Sequence, residues 1–136
     1  MNKLLTSIFL VLSLISAAPL MAASDASDAG NIYYSIAEPF TINFLNQSQK
    51  KARYLQIKVA LMSHDPVVLD SARHNLPMIQ DALRTLFTEQ DYNNVSTVAG
   101  REQLQQQALT KVRTLIEQET GSSGLEQVYF TSFILQ

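Results

Sequence analysis

The chain contains no cysteine, which excludes a disulfide framework, a thiol nucleophile and a cysteine-held zinc together. Histidine is nearly as scarce: His64 and His74 are the only two. Their separation misses the i, i+4 placement that sets two imidazoles on one metal. With Asp65 and Asp70 beside them, they read as cap and solvated-face residues. No G-x-S-x-G elbow is present, and Gly121-Ser122-Ser123-Gly124 reads as a turn. Gly100 stands alone inside a helical pattern, and no glycine-rich loop leads into Lys-Ser or Lys-Thr, so nucleotide binding has no support. Charge is sparse as well. Charged residues make up 16% of the chain, the formal net charge is -2, and the one basic concentration is Lys50-Lys51-Ala52-Arg53. This gives no basic field for nucleic acid, and the cluster reads as protection of a strand edge. No catalytic, cofactor or metal site is expected.

What the chain does have is apolar sequence, at 46% of its residues. Met1 to Ala23 follows the pattern of an export signal. Lys3 supplies the positive start, Leu4 to Ile15 the apolar core, and Ala17-Ala18-Pro19-Leu20-Met21-Ala22-Ala23 the small-residue exit. Ser7, Ser13, Ser16 and Pro19 make it a poor membrane span, for which about 20 clean apolar residues are wanted. An uncleaved membrane anchor stands as the alternative. Removing the segment leaves 9 basic against 12 acidic residues. Ser24 to Asn31 is small, polar and acidic, as in a flexible spacer. Residues 32–136 then make one domain.

Within the domain the order is strand, strand, helix, helix, strand. Ile32 to Ile36 opens it, Glu38-Pro39 interrupts it because proline cannot donate to a ladder, and Phe40 to Leu45 resumes by alternation. Asn46 to Lys51 is a short polar connection, so an antiparallel hairpin is expected. Arg53 to Met62 alternates most cleanly, with Leu55, Ile57, Val59 and Leu61 as the buried row. Asp65 is a cap for a helix starting at Pro66, and Pro77 restarts or kinks it with Asn75 as a second cap. Leu76, Ile79, Leu83, Leu86 and Phe87 form its core stripe. Ser96 caps a second helix to about Glu119, with Leu104, Ala108, Val112, Leu115 and Ile116 inward and Gly121 ending it. The final run, Leu125 to Gln136, is β-branched and aromatic with both rows apolar, which reads as an inner strand. The economical packing is α+β: a small antiparallel sheet with the two helices on one face. Asn46-Gln47-Ser48 and Asn94-Val95-Ser96 fit the glycosylation acceptor pattern but read as a hairpin turn and a helix entry.

Five tyrosines and six phenylalanines are much ring area for so short a chain. Most of the phenylalanines belong in a core. Tyr33, Tyr34, Tyr54 and Tyr129 are the candidate protein-interface residues, since tyrosine is favoured at interfaces and the second row of a strand can face a neighbour. For any one of them the core is the competing fate.

Several stretches together resemble a family. They are Pro39-Phe40-Thr41-Ile42-Asn43-Phe44, Arg53-Tyr54-Leu55-Gln56-Ile57-Lys58-Val59-Ala60-Leu61, Ile79-Gln80-Asp81-Ala82-Leu83, Thr97-Val98-Ala99-Gly100-Arg101-Glu102-Gln103-Leu104 and Val128-Tyr129-Phe130-Thr131-Ser132-Phe133-Ile134-Leu135-Gln136. From about Tyr33 to the end, the chain resembles the FliL family of bacterial flagellar basal-body-associated proteins. The resemblance makes Pro39, Phe40, Phe44, Arg53, Gly100, Phe130, Thr131 and Phe133 motif residues with structural roles. It implies a non-enzymatic accessory part of the flagellar motor with a stomatin/prohibitin-like periplasmic domain. It further implies a homo-oligomeric ring beside stator and basal-body proteins, supporting motility, with no cofactor, nucleic acid or small-molecule substrate. Family members usually carry a transmembrane helix and a longer linker. Here a signal-like leader and a brief spacer stand in their place, so docking would rest on protein contacts. A free periplasmic interaction domain serving an envelope complex unrelated to the flagellum is the alternative.

Overall fold

The structure is a computed structural model, and it describes residues 30–45, 51–122 and 124–136. The leader, nearly all of the spacer and the Asn46-Gln47-Ser48 motif lie outside the described residues. The elements are β1 (Ile32–Ser35), β2 (Phe40–Asn43), β3 (Tyr54–Ser63), α1 (Pro66–His74), α2 (Leu76–Thr88), α3 (Tyr92–Val95), α4 (Val98–Thr120) and β4 (Gln127–Leu135). The architecture is α+β on a small antiparallel sheet, as the sequence pattern suggests.

β3 organises that sheet. Phe40 to Asn43 pairs with Ile57 to Tyr54, and Ile32 to Ser35 pairs with Ser63 to Ala60, so β1 and β2 lie end to end along β3. The Ile36 N–H donates to Val59 O at 2.9 Å and carries the chain across the gap around Glu38-Pro39. β4 pairs antiparallel with β3 from Leu55 to Met62, overlapping both short strands, so it occupies the opposite edge of β3. The C-terminal strand is therefore an edge strand and not the inner strand expected. Two apolar rows report that both faces of a strand are covered; they carry no information about its edges. A register shift between Lys58 and Val59 makes Thr131 the extra residue of a bulge in β4.

One core lies between the sheet and the helices. Leu55, Ile57, Val59 and Leu61 bury one face of β3 against Val68 and Leu69 of α1, Ile79, Leu83 and Phe87 of α2, and Leu104, Ala108, Val112 and Ile116 of α4. The local signals explain where the helices begin. The Asp65 carboxylate accepts from Val67 N at 2.9 Å with Pro66 in the first turn, and Ser63 Oγ accepts from Asp65 N at 3.0 Å while donating to Gly124 O at 2.7 Å. Proline restarts the helix at α2, although the Asn75 side chain makes no cap bond there. Ser96 does not cap α4. The extra turn α3 takes it, its hydroxyl donating to Asn93 O at 2.7 Å, and Thr97 caps α4 through Gly100 N at 3.0 Å. Gly121, at φ 73°, closes α4 in the left-handed conformation.

Candidate protein-interaction surface

Because one row of β3 faces the helices, Tyr54, Gln56, Lys58, Ala60 and Met62 point to the other side. Register places Tyr33 opposite Met62, Thr41 opposite Gln56, and Tyr129 and Ile134 opposite Ala60 and Gln56. No helix covers this face among the described residues. Tyr33 is 51% exposed, Tyr54 45%, Ile134 43% and Tyr129 36%, large values for side chains with this much apolar area. The Tyr33 and Tyr129 rings lie 6.1 Å apart, centroid to centroid. Ala60 and Met62, their register partners, are buried although they stand outside the main core. Tyr54 sits at the far end of β3, about 20 Å from Ala60 at the rise of a strand. Beside it Thr41, Gln56, Ile134 and Gln136 line a shallow hollow of about 230 Å³, where Gln56 Nε2 donates to Thr41 Oγ1 at 3.5 Å. Lys58 is the one charged group among the outward strand positions, and no carboxylate stands there.

Tyr34 does not belong to this face. Its register partner is Leu61 of the buried row, and Arg73 of α1 lies over its ring at 4.9 Å. The structure thus brings Tyr33, Tyr129 and Tyr54 onto one surface and sets Tyr34 on the helix side.

The motif residues form the scaffold beneath. Phe40 meets Phe87 edge-on at 5.4 Å, Phe87 meets Phe130 at 5.7 Å and Phe130 meets Phe133 at 6.0 Å, an aromatic string from the core to the outer edge of β4. Phe44 packs edge-on against Tyr92 at 5.8 Å; the Arg53 guanidinium lies 4.0 Å over that ring and Nη1 donates to the Tyr92 hydroxyl at 2.5 Å. Arg53 is therefore a half-buried stacking residue as well as a member of the basic cluster. The sequence marks Tyr92 only as an aromatic following Asp91, the α3 cap. A Cβ on Gly100 would stand 1.9 Å from Asn94 O, so this glycine lets α3 and α4 touch backbone to backbone. Pro39 lies in the gap between β1 and β2, and Thr131 is exposed at the bulge.

The histidines do not meet. His64 Nδ1 is bound to the Glu126 carboxylate, and His74 Nδ1 to Asp70 O at 2.8 Å. The His64 hydrogen bond holds Glu126 below the ordinary carboxylate range. Among the described residues, no three His, Asp or Glu side chains gather as they would around a metal ion, and no helix is long and apolar enough to cross a membrane.

Fold and surface together define a small α+β domain in which, among the described residues, no helix covers one sheet face and tyrosines stand exposed on it. The family model described as flagellar basal body-associated protein FliL matches residues 33–136, and the chain belongs to that family. It is also similar to the flagellar protein FliL of Aquifex aeolicus (strain VF5), with 29% identity over 105 residues, 77% of this chain and 62% of that protein. The chain thus spans less than two thirds of that relative's length. All the tyrosines and motif residues described above fall inside the family match.

Proposed function

We propose that this chain is a non-enzymatic accessory component of the flagellar basal body, acting in the periplasm beside the inner membrane. It supports stator function and motility by self-association into a ring and by binding motor proteins. Residues 1–23 act as the leader or anchor, 24–31 as a spacer, and 32–136 as a domain of stomatin/prohibitin-like kind. The observation that carries this reading is the sheet face turned away from the helices, where Tyr33, Tyr54 and Tyr129 stand exposed on a member of a basal-body family. Tyrosine offers large, stiff contact area with a polar tip, which suits a surface alternating between water and a partner. The test replaces the gene in the parent organism by wild type or by a Tyr33→Ser, Tyr54→Ser, Tyr129→Ser variant. Deletion is expected to slow swimming in viscous medium, wild type to restore it, and the triple variant to fail despite a normal circular dichroism spectrum. Unchanged viscous swimming after deletion, with only monomer by light scattering at high concentration, ends the proposal.

A further inference from the structure

The sheet has two long edges, and the chain treats them differently. On one side β1 and β2 are four residues each, separated around Pro39. Short strands and proline are how an exposed edge is blunted. On the other side, α4 caps the start of the outer edge of β4 and the two residues leading into it. Gln105 Nε2 donates to Val128 O at 2.8 Å, and Arg113 donates to Leu125 O at 2.9 Å and Glu126 O at 3.3 Å. Beyond Phe130 no such cap follows among the described residues. Phe130-Thr131-Ser132-Phe133-Ile134-Leu135 contains neither charge nor proline. Tyr54 and Gln136 exchange both backbone hydrogen bonds, each at 2.9 Å. Antiparallel alternation then turns the N–H and C=O of Phe133 and Leu135 away from β3.

A hollow of about 230 Å³ lies beside this open stretch, lined by Val98, Arg101, Glu102, Gln105, Phe130 and Phe133. It is smaller than the roughly 300 Å³ at which small-molecule sites begin, and suits a single side chain. Val98 is 73% exposed here, in the first turn of α4. Arg101 is engaged, donating to Val95 O at 3.1 Å with its guanidinium 4.9 Å over the Phe133 ring. Glu102 is the exposed charge left on the rim.

We propose that the open half of the outer edge of β4 takes an extended segment of another protein as an added strand. One apolar side chain of that segment enters the hollow, and a basic residue beside it faces Glu102. The ladder decides the chemistry of the occupant: only an extended polypeptide presents donors and acceptors at this repeat, and the pocket selects among sequences. This goes beyond the reading of the tyrosine face, since strand addition uses the edge and leaves that face free.

The test pans phage-displayed random nonapeptides against the full chain and measures the selected peptides, made synthetically, by calorimetry and amide hydrogen exchange. An apolar anchor flanked by Lys or Arg is expected, with exchange at Phe133 and Leu135 slowed about ten-fold or more on binding. Leu135→Pro removes an outward donor while sparing the β3-facing groups of Ile134 and Gln136, and Val98→Lys obstructs the hollow from an exposed position. Each weakens binding about ten-fold or more, whereas Tyr54→Ser changes it by less than about two-fold. Should Leu135→Pro lose its fold by circular dichroism, Val98→Lys carries the test. No enrichment of any sequence, or peptide affinity unchanged in the folded variants, overturns the proposal. Slow exchange at Phe133 and Leu135 without peptide also overturns it, assigning the edge to a second copy if it grows with protein concentration and to this chain itself if it does not. Motility plays no part in these readouts, so their failure leaves the flagellar reading standing.

Discussion

On its helix side β3 buries Leu55, Ile57, Val59 and Leu61, while on the other side of the same ten-residue strand Tyr54 and Lys58 stand in solvent. The backbone and ladder are shared, so the difference lies in what each face is built to meet. The helix side is filled permanently by this chain's own side chains. The far side buries Ala60 and Met62 as well, but its tyrosine rings remain exposed. A face left uncovered with leucine would aggregate, and one left with lysine and glutamate would bind nothing apolar. Tyrosine lies between those outcomes.

The largest effect should come from the filled side. Phe87 is fully buried between Phe40 and Phe130. Phe87→Ala is expected to cost about 3–5 kcal/mol in urea unfolding, while Tyr54→Ala costs within about 0.5 kcal/mol. Similar losses in the two variants would break the comparison, because the far face would then be part of the core.

Next comes the contact that brings the helices together on that side. Gly100→Ala drives a Cβ against Asn94 O and Asn94 C, backbone atoms that cannot rotate away. Overpacking of this kind costs roughly 1–3 kcal/mol, against which the better helix propensity of alanine returns about 1 kcal/mol. A net loss of up to about 2 kcal/mol by thermal unfolding is expected. A gain in stability would mean that α3 gives way freely, and that the filled side is less tightly fixed than the geometry shows.

Much of the filled side could be read directly from the sequence. The Leu55 row, the Asp65-Pro66 helix start, the α2 and α4 stripes and the Gly121 stop all follow from period and cap chemistry, which are local. The free side was harder. Tyr33 and Tyr34 are sequence neighbours and look alike, yet strand parity sends one to the open face and the other under Arg73. Only the register with β3 decides between them, and register is a long-range fact. The edge position of β4 was hidden for a related reason: alternation reports faces, and edges depend on which strands pair. Gly100 had no local explanation at all, since its need is the distant carbonyl of Asn94.

A smaller effect tests whether the tyrosine face has any internal structure of its own. Tyr33 and Tyr129 reach toward each other across β3 with centroids 6.1 Å apart. A double-mutant cycle with Tyr33→Ala and Tyr129→Ala is expected to show a coupling of about 0.5 kcal/mol, at the low end for aromatic pairs because both rings are partly wet. A coupling of zero would make the rings independent contact points.

The smallest effect is at the rim where both faces end. His64 closes β3 and Glu126 leads into β4, joined side chain to side chain and by the His64 N–H to Glu126 Oε1 at 3.3 Å. The His64 hydrogen bond, the largest influence on Glu126, lowers its pKa from the ordinary carboxylate value against an opposing push from burial. A carboxylate lowered on folding stabilises the protein above its unfolded pKa, near 4.3, and loses that contribution as pH falls through the lower folded value. Glu126→Gln should therefore lower the melting temperature slightly at pH 5–6, with the difference shrinking as pH falls below the unfolded value. An unchanged difference down to pH 3 would show that the pair acts through shape and not charge. The β3–β4 ladder would then owe nothing at this end to the charge of Glu126, and would rest there on its backbone, on Ser63 bound to Gly124 O and on Arg113 bound to Leu125 O and Glu126 O.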